Sequence, residues 1–74
     1  MSQLELLTTS HCHLCEQAEA LIAQALPMMS VEKVDIAEDD ALTEQYGERI
    51  PVVRYQGREL TWPFGLLDLR QLLS

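Results

Sequence analysis

Hydrophobic periodicity changes abruptly across one pair of closely spaced cysteines, and that change limits the possible folds more than any other feature of the chain. Before it, Leu4, Leu6 and Leu7 around Glu5 predict a short, largely buried strand that gives way to the polar run Thr8, Thr9 and Ser10. After it, Leu14, Ala18, Leu21, Ile22, Ala25 and Leu26 recur at steps of three and four, with Glu16, Gln17, Glu19 and Gln24 on the other side. That spacing is the mark of an amphipathic helix. Pro27 ends it, because proline has no N–H for the next bond and biases Leu26 away from helical geometry. Cys12, His13, Leu14 and Cys15 therefore stand where a strand hands over to a helix.

The remaining elements follow by the same reasoning. Val31 to Ile36 is β-branched and interleaved with Glu32, Lys33 and Asp35, which predicts a second strand with charge on one side, at a sheet edge. Asp39 or Asp40 caps a short helix on which Leu42 and Tyr46 share a face, with Gly47 expected as the left-handed residue after the last turn. Pro51 opens a third strand, Val52 to Tyr55, at a position where it removes no interior ladder bond. Gln56 and Gly57 make a two-residue hairpin turn, and Arg58 to Thr61 returns. That register sets Arg54 opposite Glu59 as a charge pair and Val53 opposite Leu60 as an apolar pair. Leu66, Leu69, Leu72 and Leu73 keep helical spacing beyond Trp62 and Pro63. The order is β-α-β-α-β-β-α, an α/β domain over residues 1–74 with no internal repeat and no linker.

At 74 residues a lone core contributes a net stability of only about 3 to 5 kcal/mol. No apolar run approaches the roughly 20 residues of a membrane span, and Met1 to Thr9 lacks the basic, apolar pattern of a secretory signal. The expectation is a cytoplasmic monomer with no membrane partner. The net charge of −7 and the scattering of Lys33, Arg49, Arg54, Arg58 and Arg70 argue against a nucleic-acid partner. Two cysteines separated by two residues close too short a loop to staple distant parts of the chain. In a reducing compartment such a pair points to redox chemistry or metal binding.

The helix start favours redox chemistry. The first amides of a helix lack intrahelical acceptors and the dipole adds partial positive charge, so a thiolate at Cys12 is favoured over the thiol. The thiolate is the species that attacks a disulfide. Cys15, a turn further on, is placed to attack the resulting mixed disulfide and release the product. Ile50 and Pro51, later at a strand start, strengthen this reading over a zinc half-site with the same cysteine spacing.

With these residues in view, the sequence resembles the glutaredoxin branch of the thioredoxin superfamily, and within it a group of short glutaredoxin-like proteins long labelled only as a domain of unknown function. The matching segments are Leu4 to Thr8, Cys12 to Cys15, Val34 to Ile36, Tyr46 to Gly47, Arg49 to Val53 and Gly57 to Phe64. The resemblance implies a thioredoxin-like fold, a four-stranded mixed sheet in the order 2-1-3-4 with helices on both faces, and a cis peptide between Ile50 and Pro51 beside the dithiol. It also implies a thiol/disulfide oxidoreductase with Cys12 and Cys15 catalytic. The partner is then a disulfide-bearing protein or small thiol, the electron donor is left unspecified, and no organic cofactor or metal is required.

Around this pair, Pro51, Ile50, Arg49, His13 and His11 are the candidate substrate-binding residues. A protonated His13 or His11 would stabilise the Cys12 thiolate, the plainer alternative being an exposed spacer. Arg49 would meet a substrate carboxylate if it faces the dithiol, and is otherwise a surface arginine. Trp62, Phe64 and Tyr46 read as core. Asp35, Glu38, Asp39 and Asp40 read as capping and solvation rather than a hard-metal site. Two rival classes remain: a module holding zinc, copper or an iron–sulfur cluster, and an adaptor whose cysteines no longer turn over. Brown colour or stoichiometric metal in purified protein marks the first, and no dithiol-dependent rate marks the second.

Glutaredoxins that use glutathione usually carry proline and an aromatic residue between the cysteines, a lysine three residues before the first, and a Gly-Gly turn with acids before the last helix. Here His13, Leu14 and Thr9 take the first positions, and Trp62, Pro63, Phe64 and Gly65 the turn. Poor activity with glutathione, itself an anion meeting a net negative chain, is the expected outcome. A coupled glutathione assay checks it, and efficient turnover with a KM in the usual range of roughly 1 μM to 1 mM contradicts it.

Overall fold

The computed structural model describes residues 4–73. The elements are β1 (Leu4–Thr8), α1 (His13–Ala25), β2 (Val31–Asp35), a 3₁₀ turn (Ile36–Glu38), α2 (Asp40–Tyr46), β3 (Val52–Tyr55), β4 (Arg58–Thr61) and α3 (Leu66–Leu72). The sheet order is β2-β1-β3-β4, with β1 parallel to β2 and antiparallel to β3, and β3 antiparallel to β4. This is the expected thioredoxin-like architecture.

Its two apolar layers follow from the side-chain alternation of the strands. Leu4 and Leu6 of β1 and Val53 of β3 point to one face, where Ala18 and Ile22 of α1 and Leu69 and Leu72 of α3 cover them. Leu7 and Val52 point to the other face and meet Ile36 and Tyr46, with Val34, Leu42 and Ile50 at the margin. Where β1 is covered on both sides, apolar residues stand next to one another, as Leu6 and Leu7 do. Phe64 is buried and Trp62 packs against the same layer, their rings edge to face at 5.2 Å, so both serve the core.

Asp39 caps α2, its carboxylate accepting the Ala41 and Leu42 amides at 2.9 and 3.2 Å. Gln56 and Gly57 both have positive φ, 49° and 80°, as a two-residue turn that matches strand twist requires. The peptide bonds before Pro51 and Pro63 are cis.

Three local expectations are corrected. Ile36 is not the last residue of β2 but the first of the 3₁₀ turn, because the Asp35 carboxylate accepts the Ala37 amide at 3.0 Å and bends the chain. Gly47 is right-handed, φ −51°, and its value lies in space: a Cβ there would come within 2.5 Å of the Thr43 carbonyl oxygen. Arg54 does sit opposite Glu59 in the ladder, yet its guanidinium pairs with Glu5 of β1 at 3.1 Å. Glu59 is taken instead by the Tyr46 hydroxyl, which donates to it, and by Arg49 at 3.4 Å.

Leu6 is fully buried and Leu67 is 67% exposed. Leu6→Ala is expected to cost about 2 to 5 kcal/mol, enough to unfold most of so small a domain, whereas Leu67→Ala stays within about 0.5 kcal/mol. Urea titration followed by far-UV circular dichroism measures both.

Candidate active site

β1 carries the chain to one end of the sheet at Thr8, and the turn that follows reverses through His11, held at φ 61°. Histidine tolerates this left-handed conformation better than most side chains. The reversal lets Cys12 take the extended geometry of a helix N-cap, φ −97° and ψ 103°, directly before α1. Its sulfur then does what a serine or aspartate oxygen does in that position: Sγ accepts the Cys15 amide at 3.1 Å. One of the orphan donors of the helix start is thus aimed at the sulfur, which stabilises negative charge there when the pair is reduced.

Cys12 and Cys15 are joined as a disulfide, with their Cα atoms 5.2 Å apart. Their exposure differs. Cys12 is half-buried, whereas Cys15 is 3% exposed beneath the first turn, on the same face of α1 as Ala18 and Ile22. A reagent from solvent meets Cys12 first.

The other residues singled out in the sequence are placed as follows. His11 borders a cleft of about 300 Å³ that also contains Cys12 and Cys15. His13 is exposed at the first position of α1. Because β3 runs antiparallel to β1 and Leu7 pairs with Val52, the loop ending in Pro51 lies at the same end of the sheet as the dithiol. Pro51 itself is fully buried, its carbonyl accepting the Trp62 amide at 3.1 Å. The Ile50 amide donates to the Tyr46 carbonyl at 3.1 Å. Arg49 is turned towards β4, its guanidinium on Glu59 and on the Thr61 hydroxyl at 3.3 Å and 5.1 Å from the Tyr46 ring centre. The Ile50 amide and the Pro51 carbonyl are thus both used within the chain.

Sequence reading missed the other wall of the cleft, formed by Glu16, Glu19, Lys33 and Asp35. The signal was the parallel pairing of β2 with β1, which sets Asp35 beside Thr8 and Lys33 beside Leu6. Lys33 reaches across to Glu19 of α1 at 2.8 Å. Among the described residues no group of three or more His, Cys, Asp or Glu side chains is arranged to hold a metal, and no helix is long and apolar enough to cross a membrane.

Comparison with known proteins places this geometry in a family. Residues 3–74 match the glutaredoxin-like domain (DUF836). The chain belongs to the glutaredoxin-like family. A structural genomics target protein from X. campestris is similar to it in both its X-ray structure, at 45% identity and a TM-score of 0.86 over 95% of this chain and 93% of that one, and its solution structure, at 44% and 0.85 over 96% and 91%. A malarial protein at 13% identity shares the fold, with a TM-score of 0.63 over 99% of this chain and 93% of its own. A search of the curated proteins finds no match. A glutaredoxin-like domain with Cys12 and Cys15 joined at its helix start fits a redox function of the thioredoxin fold.

The asymmetry of the pair generates a direct test. In reduced protein given limiting iodoacetamide at mildly acidic pH, Cys12 is expected to be modified at least about tenfold faster than Cys15. Peptide mapping reads the ratio. Equal modification, or Cys15 first, contradicts the placement of the helix start.

Proposed function

We propose that this protein is a thiol/disulfide oxidoreductase that reduces disulfides of protein or small-thiol partners. The observation that carries the reading is the Cys12 sulfur at the N-cap of α1, bonded to the Cys15 amide and linked to a neighbour that solvent barely reaches. In the reduced pair, the Cys12 thiolate attacks one sulfur of the substrate disulfide. The S–S bond breaks, its electron pair leaves with the departing thiolate, and that thiolate takes a proton from solvent. Cys12 is now in a mixed disulfide. Cys15 gives its proton to solvent and attacks the Cys12 sulfur, a new S–S bond forms within the protein, and the second substrate thiolate leaves. The substrate has gained two electrons and the dithiol has lost two. An external thiol donor restores the pair by the reverse exchange.

Cys15 has little other chemistry open to it. Burial keeps it from solvent disulfides, so its accessible target is the sulfur a turn away. The loop Arg49 to Pro51 serves in this proposal by forming the neighbouring wall at that end of the sheet, its shape set by the hydrogen bonds to Tyr46, Trp62 and Glu59. His11 and His13 flank Cys12 and are the side chains of this turn available to a bound partner.

Reduction of insulin disulfides, followed as turbidity with dithiothreitol as donor, tests the proposal. Wild type is expected to accelerate the reaction and Cys12→Ser to remove the acceleration. Serine keeps the helix cap, so the loss reports chemistry rather than folding. Pre-reduced Cys15→Ser, freed of dithiothreitol before insulin is added, is expected to accumulate a covalent adduct with substrate, seen by intact mass, because no second thiol is then at hand to resolve it. A wild-type rate no greater than dithiothreitol alone overturns the proposal.

A further inference from the structure

The cleft that holds the dithiol does not end at it. Glu16, Glu19 and Asp35 face a single lysine there, and Lys33 is already paired with Glu19. The Asp35 carboxylate accepts the neutral Ala37 amide. Past the Glu19–Lys33 bridge, and sharing both of its residues, lies a second cavity of about 330 Å³, lined on its apolar side by Ile22, Leu26, Met29 and Val31. The two cavities form one trough between α1 and β2, acidic at the sulfurs and apolar at the far end. β2 is the outer strand of the sheet, so the trough is open along its side. The bridge across it joins side chains 58% and 46% exposed, an ion pair that costs little to open.

We propose that this trough is the docking groove for the disulfide-bearing partner, and that the partner is a protein segment in extended form with a basic residue next to its reactive cysteine and an apolar residue further along. The inference rests on the oxidoreductase reading and adds the substrate class to it. Its reach is set by the helix: from Cys15 to Ala25 α1 advances roughly 15 Å at about 1.5 Å per residue, which about five extended residues span. The basic residue meets Glu16 and Asp35 and displaces Lys33 from Glu19, and the apolar residue enters the space beside Ile22 and Leu26. The net charge of −7 adds long-range attraction for a basic partner. A small anionic thiol gains nothing from either end of the trough.

Synthetic peptides carrying cysteine as a mixed disulfide with thiopyridine test this against the reduced full chain, with thiopyridone release as the readout and neutral hydroxyethyl disulfide as a separate substrate. One peptide has Lys next to Cys and Leu about five residues on; the others replace Lys by Glu, or Leu by Ser. The Lys and Leu peptide is expected to react at least about tenfold faster than the Glu peptide and several-fold faster than the Ser peptide. The charge preference is expected to collapse in roughly 0.5 M salt. It should fall below about twofold in Glu16→Gln/Asp35→Asn and persist in Glu44→Gln, a change on the exposed side of α2. Equal rates for all peptides while hydroxyethyl disulfide is reduced overturn the groove and leave the oxidoreductase reading standing. A charge preference that survives both salt and the double substitution also overturns it. Failure to reduce hydroxyethyl disulfide sinks the oxidoreductase reading, and the groove with it.

Discussion

Burial of β1 on both faces is the constraint on which the rest of the structure depends. Leu4 and Leu6 on one side and Leu7 on the other are fully excluded from water, and each apolar layer closes on them. A strand in that position has to be central, with neighbours on both edges, and its end has to emerge where the flanking elements leave room. The chain emerges at Thr8, turns through His11, and starts α1 at the rim of the sheet. The position of the dithiol is thus a consequence of the core, and the chemistry of Cys12 is a consequence of that position.

How much of this was legible depends on the range of the interaction. The elements and the hairpin register could be read because they rest on local patterns: the three-and-four spacing of α1, the Gln56–Gly57 turn, the proline before β3. The charge partner of Arg54 could not, because the strands on both sides of it offer an acid and only the packed sheet decides between Glu5 and Glu59. The rotation of the chain at Ile36 is set by a single Asp35 hydrogen bond, weaker than the β-branched pattern that suggested strand. Gly47 illustrates a different limit: a glycine after a helix signals either a left-handed turn or a close approach, and here it is the approach to Thr43.

The site shows the same division. Cys12 and Cys15 could be identified from their place at the strand-to-helix junction, and the burial of Cys15 follows from sharing the apolar face of α1. The acidic wall was hidden because Glu16 and Glu19 read as the solvent side of an amphipathic helix and Lys33 and Asp35 as the charged side of an edge strand. Only the parallel pairing of β2 with β1 brings the two together across the sulfurs. Arg49, which lies close to Pro51 in sequence, is drawn away by Glu59, Thr61 and the face of Tyr46, and its contribution is to hold the loop.

The central claim is that the Cys12–Cys15 bond is a working redox couple and not a static link. Its reduction potential, measured by equilibrating the protein in defined thiol/disulfide buffers and quantifying the two forms, tests that claim most directly. A value between roughly −270 and −120 mV, the span of catalytic pairs at helix starts, is expected, because the Cys15 amide and the helix dipole stabilise the reduced form. A value below about −300 mV, where structural disulfides lie, would contradict it.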